Sequence, residues 1–245
     1  MMTSRPHDTY EQPSRWERPA LASGIAFAVL QIVAIVFATV FVLSKLPPVG
    51  APLTEWAEAL VQIPTITVNI ANYLLLLPVP FFVLFLGGLF GVLRRAEGGS
   101  GTLAVSALVA GIAMAVTWPF GILIAGISSS IVADGGDLAT AWALDGMAPL
   151  SLALSAFPRT VLLVATSLLL LGSRLAPRWI GWLGLLLAPV SLIGTGMLLV
   201  GDLFPILALG TLIFELWVLA LSVSLVRRER TASQPAPQVA AAPRM

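Results

Sequence analysis

The sequence predicts an all-α fold, a polytopic membrane bundle of six transmembrane helices with both termini in the cytoplasm. The first observation is composition, because 58% of the 245 residues are hydrophobic and only 10% are charged, against about 25% charged in an average soluble domain. The second is segregation, since the charged residues collect in short segments between long apolar windows. A soluble core protein does not distribute charge in this way. The third is an uneven division of arginine between the two sides of the predicted membrane.

Six apolar windows are long enough to cross a bilayer, which takes about 20 residues in a helix. Residues 1–19 before them and 227–245 after them are polar and predict disordered cytoplasmic tails around a transmembrane domain of residues 20–226. The first window is too long for a signal-peptide core of about 7–15 residues. In chain order the windows are Ala20–Ser44, Val68–Leu93, Thr102–Val132, Ala148–Ser173, Trp179–Val200 and Leu203–Val226.

The arginines between these windows predict the orientation. Cytoplasmic loops carry an excess of Arg and Lys, and outside the windows only Lys45 falls on the opposite side. The predominance of arginine over lysine, together with abundant alanine, glycine and proline, favours a GC-rich bacterial genome and hence the bacterial inner membrane. The arginines on the predicted cytoplasmic side are Arg5, Arg15, Arg18, Arg94, Arg95, Arg174, Arg178, Arg227, Arg228, Arg230 and Arg244.

Two outer connections predict short amphipathic helices. Residues Pro52–Ile63 place apolar side chains at helical spacing on one face and acidic or amide side chains on the other, with Thr54 as the expected cap. Residues Asp137–Asp145 predict a second helix, in which Asp137 is the N-cap, Gly146 the C-cap and Trp142 faces the membrane. We expect both helices to brace the outer end of the bundle.

Small residues and prolines predict how the helices pack and bend. Gly24, Ala28, Gln31 and Ala38 share one side of the first helix, and Gly87-x-x-x-Gly91 lies in the second; such positions let helices approach closely in a membrane. Kinks are expected at five prolines, because each removes a backbone donor. The prolines are Pro78, Pro80, Pro119, Pro158 and Pro189.

Five tryptophans predict two aromatic belts at the membrane interfaces. Trp16, Trp179 and Trp182 are expected at the inner boundary, and Trp56 and Trp142 at the outer one.

The candidate site is a group of polar and aromatic side chains near the membrane midplane. Arg159 and Glu215 each lie near the centre of a window, and Gln31 and Trp118 lie at similar depth. A charge at this depth costs at least about 2.5 kcal/mol, so it normally faces a partner or a wet cavity. We expect Arg159 and Glu215 to face each other, with Gln31 as a third hydrogen-bonding member. Two roles stay open: an ion pair that fixes helix register, or a site that binds a proton or an anionic group.

A polar pathway toward the outer side is a further candidate feature. Asn69, Asn72 and Tyr73 lie near the outer end of the second window, where they could extend the midplane site outward.

Several chemistries lack the residues that they need. The chain has no cysteine, and its one histidine, His7, lies in the N-terminal tail, which argues against a metal centre, a haem ligand or a Ser–His dyad in the membrane. No phosphate-binding loop is present. We therefore expect no catalytic residues, no metal, no cofactor and no enzyme activity. The dispersed basic residues also predict no nucleic-acid partner.

The segment Ala176-Pro177-Arg178-Trp179-Ile180-Gly181-Trp182-Leu183-Gly184 resembles the start of the fifth helix in a loose group of bacterial six-helix membrane proteins. They are grouped as a domain of unknown function, and the resemblance extends to helix count and loop pattern. It implies no activity and no site residues.

Two functional classes follow from these observations. One is a structural or accessory membrane protein that contacts the lipid bilayer and another membrane protein or a second copy. The other is a small-solute or proton-coupled transporter that uses the midplane charges. A dry, closed core around Arg159 favours the first class, and a water-accessible cavity favours the second.

Overall fold

The computed structural model describes residues 16–48 and 50–232. This part of the chain contains nine α-helices and three short 3-10 helices, Leu43–Lys45, Thr195–Leu198 and Gly201–Leu203, and no strand. The α-helices are α1 (Glu17–Phe41), α2 (Leu53–Val61), α3 (Thr65–Leu76), α4 (Val79–Glu97), α5 (Thr102–Ala133), α6 (Leu138–Asp145), α7 (Met147–Ser173), α8 (Arg178–Gly194) and α9 (Phe204–Ala232).

Six segments within the described residues are long and apolar enough to cross a membrane, as predicted. The second combines α3 with α4, and the fourth includes α6 ahead of α7. The protein is therefore an all-α, multi-pass membrane protein. The six segments are Glu17–Lys45, Thr65–Glu97, Thr102–Ala133, Leu138–Ser173, Arg178–Leu198 and Gly201–Arg228.

The six long helices form a closed ring in chain order. α1 packs on α4, α4 on α5, α5 on α7, α7 on α8, α8 on α9, and α9 returns to α1. α4 and α7 also meet across the ring. The main hydrophobic core fills the interior, and large side chains from α1, α4, α5, α7 and α9 lie there with little or no exposure. A side chain that points inward is therefore held by several helices at once.

Small residues let the helices approach closely. Close packing matters here because lipid tails are as apolar as the side chains, so there is no hydrophobic driving force for helix association. A Cβ added at Gly24 would lie 2.1 Å from Oγ of Ser222 on α9, and one at Gly88 would lie 2.9 Å from Cβ of Ala20 on α1. Gly24, Ala28, Gln31 and Ala38 are buried, as their shared side predicts. Gly87 differs from the expectation, since a Cβ there would meet nothing within 4 Å. The contact is made by Gly88 in place of Gly87.

Proline interrupts one helix and is accommodated in three others. The second membrane segment breaks at Leu77 and Pro78, which separate α3 from α4. Pro119, Pro158 and Pro189 lie inside the continuous helices α5, α7 and α8. The break lets α3 pack against α1 and α5 at the outer end.

The two predicted outer helices are present as α2 and α6. They pack together, and Asp137 caps α6 by accepting a hydrogen bond from the Thr140 amide. Hydrogen bonds from the side chain and amide of Thr140 also lower the pKa of Asp137. Gly146 is the C-cap, as expected. The cap predicted at Thr54 is wrong, because α2 begins at Leu53, directly after Pro52.

Trp56 does not join the outer aromatic belt. It is buried, and its Nε1 donates to Oδ2 of Asp145 at 3.0 Å, which ties α2 to the end of α6. A buried indole N–H needs a hydrogen-bond acceptor. Asp145 provides one, so Trp56 can be buried between the two helices instead of lying at the membrane interface. Trp142 is 40% exposed and donates to the Ala51 carbonyl, while Trp179 and Trp182 are exposed at the inner end.

Polar contacts fix the helix ends on the predicted cytoplasmic side. Glu17 at the start of α1 pairs with Arg95 at the end of α4. Both carboxylate oxygens of Glu97 accept amides from the first turn of α5, Leu103 at 3.0 Å and Ala104 at 2.8 Å. Such capping satisfies donors that a helix start leaves free.

The boundaries of the predicted tails need a correction. α1 begins at Glu17 and α9 extends to Ala232, so residues 17–19 and 227–232 are helical. Pairing of Glu17 with Arg95 holds the start of α1, and Arg228 donates to the Arg174 carbonyl near the end of α9. The rest of the predicted tails, residues 1–15 and 233–245, lies outside the described residues.

Candidate functional site

Arg159 lies inside the ring of helices with none of its surface exposed. It lies on the same side of α7 as Ser155 and Thr166, which are also fully buried. Its Nη1 donates to Oγ1 of Thr211 on α9 at 2.7 Å. The Thr211 hydroxyl in turn donates to the Leu207 carbonyl at 2.9 Å. Since that proton is committed to Leu207, the hydroxyl oxygen is free to accept from the guanidinium.

An aromatic ring supplies the second contact of the guanidinium. Cζ of Arg159 lies 5.8 Å from the ring centroid of Phe214, within the range of a cation–π interaction. Phe214 is fully buried and continues into a chain of ring contacts through Phe82 and Phe27 to Trp118. The charge therefore rests against the aromatic centre of the bundle.

Glu215 is buried as predicted, with only 2% of its surface exposed. It does not form the expected ion pair, because the charged atoms of Arg159 and Glu215 lie too far apart for one. The guanidinium instead contacts Thr211, which lies one helical turn before Glu215, and Phe214, which directly precedes it. Both side chains lie in the interior of the bundle, where we expect opposite charges to attract each other more strongly than in water.

Gln31 and Trp118 are both buried in the interior. The expected role of Gln31 as a third hydrogen-bonding member is wrong, since its Oε1 has no hydrogen-bond partner. Gln31 follows Phe27 by one turn of α1, and Phe27 packs on Trp118 with ring centroids 6.0 Å apart.

Several buried polar atoms of the site have no hydrogen-bond partner. Arg159 leaves Nε and Nη2 unpaired, and Glu215 leaves Oε2 unpaired. Thr166, Ser167, Ser191 and Ser222 carry buried hydroxyl oxygens in the same condition. A buried polar group without a hydrogen-bond partner lowers the stability of the fold. Packing of the helices alone therefore does not explain why these polar side chains are in the interior.

The candidate outer pathway divides into two parts. Asn69 and Asn72 line a cavity of about 440 Å³ between α3 and α5, toward the predicted outer side. Tyr73 does not line it and is 65% exposed on another side of α3. A second cavity of about 220 Å³ lies nearby, between the end of α2 and α5. Neither of these two cavities includes Arg159, Glu215, Gln31 or Trp118.

The sequence analysis did not predict two features of the interior, the hydrogen bond of Trp217 and the space that Gly184 leaves for it. Trp217 is fully buried and donates from Nε1 to the Ile180 carbonyl at 2.9 Å, joining α9 to α8. Gly184 makes that approach possible, since a Cβ there would lie 2.2 Å from Oγ of Ser167 and 2.9 Å from Nε1 of Trp217. The sequence did contain one indication that Thr211 is the partner of Arg159, because Thr211 lies one helical turn from Glu215 on the same helix.

No cluster of three or more His, Cys, Asp or Glu side chains that could hold a metal ion occurs within residues 16–48 and 50–232. Comparison with known proteins gave no match to a family model, a curated protein or a solved structure.

Proposed function

We propose that the chain is a structural or accessory protein of the bacterial plasma membrane, without enzyme activity, that acts through contacts with lipid and with another membrane protein or a second copy. In this proposal Arg159 and Glu215 specify how α7 and α9 pack. The arginine-rich composition and the resemblance of residues 176–184 to bacterial six-helix membrane proteins support the bacterial assignment.

The enclosure of Arg159 carries the proposal. The guanidinium is fully buried between Thr211 and Phe214, and the two cavities described above do not reach it. A transport site at the midplane is expected to connect with one face of the membrane. A closed, aromatic-lined position is what a charge that fixes helix packing needs.

A small-solute or proton-coupled transporter is the second candidate, and one observation favours it. Arg159 and Glu215 keep unpaired polar atoms at the same level of the bundle, and ionisable groups within a membrane often mark an ion or proton pathway. The two candidates differ in whether water reaches these atoms during the working cycle of the protein.

Cysteine accessibility separates the two candidates, because the chain contains no cysteine of its own. Ser155→Cys places a thiol of similar size one turn from Arg159, and Ser222→Cys does the same two turns from Glu215. Both positions are fully buried. Ser130→Cys, at an exposed position in the larger cavity, is the matched positive control. Each variant is reconstituted in liposomes and treated with a hydrophilic thiosulfonate reagent.

The accessory proposal expects rapid labelling of Ser130→Cys and slow labelling of the two interior variants, by at least about a hundredfold, because the thiolate must be hydrated to react. Labelling of Ser155→Cys at a rate close to that of Ser130→Cys would overturn it. That outcome would make the transporter the preferred reading, and proton flux through the same liposomes would then be expected.

A further inference from the structure

We propose that the cavity between α3 and α5 binds one phospholipid of the outer leaflet whose headgroup carries an ammonium group. We call this cavity the outer groove; it is lined by residues of α3 from Asn69 to Leu76 and residues of α5 and its end from Ile122 to Asp134. The inference does not depend on the proposed function, because the midplane charges lie outside the groove.

The groove changes from apolar to polar along its length. Its deeper part, toward the bilayer centre, is lined by Leu76, Ile122 and Leu123, and Ile127 follows one turn later. Its outer part carries all the polar lining residues, Asn69, Asn72, Ser130 and Asp134, together with the apolar Ile131. The volume of about 440 Å³ lies in the range of known ligand pockets. An amphipathic molecule with its polar end outward matches this gradient.

The outer mouth of the groove attracts a cation. Asp134 is exposed and stands directly at the end of α5, where Gly135 and Gly136 close the helix through hydrogen bonds to the Val132 and Ile131 carbonyls. The C-terminal end of a helix carries partial negative charge. A carboxylate and a helix terminus therefore act together on the group that lies beside them.

An unpaired donor lies deeper in the groove. Nδ2 of Asn72 is buried and makes no hydrogen bond. It reaches this position because Gly126 leaves room, since a Cβ at Gly126 would lie 3.3 Å from Nδ2. A rotation of the Asn72 side chain toward the groove would offer this donor to a phosphate or ester oxygen just below a headgroup. The order of donor and anion along the groove thus fits a phosphate below an ammonium group.

Charge on the outer side excludes an anionic headgroup as the preferred occupant. The outer connections carry Lys45 against six acidic residues, namely Glu55, Glu58, Asp134, Asp137, Asp145 and Asp202. A lipid of net negative charge would be repelled there, whereas a zwitterionic ethanolamine lipid offers its ammonium to Asp134.

The apolar half of the groove distinguishes a lipid from a soluble ligand. Leu123 and Ile127 are more than half exposed on the surface that faces the acyl chains, so the groove opens sideways into the bilayer. An acyl chain can enter it without leaving the membrane. A small polar solute would leave this apolar wall without a partner.

Native mass spectrometry of the full chain in non-ionic detergent tests the proposal. The protein is titrated with dioleoyl-phosphatidylethanolamine and with dioleoyl-phosphatidylglycerol at equal concentrations. We expect the ethanolamine lipid to bind on the order of two- to fivefold more tightly, a factor typical of one favourable charge contact near a surface. Asp134→Asn should remove that preference, and the matched change Asp202→Asn, in another outer connection, should leave it intact.

Two variants test the groove itself. Asn72→Leu keeps the side-chain size and should weaken binding of both lipids, because it removes the donor to the phosphate. Gly126→Leu should abolish specific binding, and Leu123→Trp, which enlarges a side chain that lines the groove, is a second blocking variant. Gel filtration and thermal unfolding identify variants that fold normally, and only those are compared.

Three outcomes would overturn the proposal. The first is equal binding of the two lipids by the native protein, or preference for the glycerol lipid. The second is an unchanged preference in Asp134→Asn. The third is competition by chain-free glycerophosphoethanolamine at the affinity of the full lipid, which would assign the groove to a soluble solute.

Discussion

The Nη1 atom of Arg159 lies 2.7 Å from the hydroxyl oxygen of Thr211, so a charge from α7 crosses the interior of the ring to reach α9. The two helices are separated around the ring by α8, which packs against both. This single hydrogen bond therefore joins helices that are not neighbours around the ring. Thr211 therefore helps to hold α9 against α7, a role that its residue type alone does not reveal.

Thr211→Val should destabilise the protein by about 1–3 kcal/mol, because it keeps the side-chain shape and leaves a buried guanidinium donor without an acceptor. The control is Thr117→Val on α5, where the hydroxyl contacts only carbonyls of its own helix. We expect the control to stay within about 0.5 kcal/mol. The measurement is unfolding in a fixed detergent or bicelle. Equal losses in the two variants would show that the contact with Arg159 has no special weight.

Gly184→Ala should loosen the contact of α8 with α7 and α9. The added Cβ would lie 2.2 Å from Oγ of Ser167 and 2.9 Å from Nε1 of Trp217, so a helix must shift. Overpacking of this kind costs about 1–3 kcal/mol. Gly172→Ala is the matched control, because a Cβ there meets nothing within 4 Å, and it should be neutral or stabilise by up to about 1 kcal/mol.

Ser167→Gly should partly rescue Gly184→Ala, since it removes the nearer of the two obstructing atoms. Thermal unfolding of the four proteins measures the coupling. Additive losses in the double variant would mean that the strain arises elsewhere.

Trp56→Phe should release α2 from α6 with little effect on the ring of long helices. The hydrogen bond from Trp56 to Asp145 is lost, and a net contribution of about 1 kcal/mol is expected for such a bond. Hydrogen–deuterium exchange should rise within Leu53–Val61 and stay unchanged in α9. Trp182→Phe, at an exposed position on the inner end, is the control and should leave α2 protected. Unchanged exchange of α2 in Trp56→Phe would contradict the proposed brace.

Hydropathy and length were enough to predict the helices, because a membrane span must satisfy its own backbone and so depends little on distant contacts. The arrangement inside the ring could not be predicted in the same way. Arg159 and Glu215 are both buried, but a sequence does not show that the guanidinium contacts Thr211 and Phe214. The burial of Trp56 could not be predicted, because its hydrogen-bond partner, Asp145, lies 89 positions away in the chain.

Small residues were more informative than prolines for packing. Gly24 and Gly88 lie at contacts with neighbouring helices, whereas of the five prolines expected to kink the helices only Pro78 stands at a break. A proline removes one donor wherever it occurs, and neighbouring helices can make good that loss in a membrane. A missing Cβ, by contrast, is useful only where another helix fills its place.

We infer that Arg159 and Glu215 are two structural charges that offset each other inside a closed bundle. The most direct test is a double-mutant stability cycle with Arg159→Met, Glu215→Gln and the combination, each measured by unfolding in the same bicelles. Each single change leaves one charge buried without its counterpart, so we predict that each is more destabilising than the double change, by about 1 kcal/mol or more. Strictly additive losses would contradict the claim and show that the two charges do not sense each other.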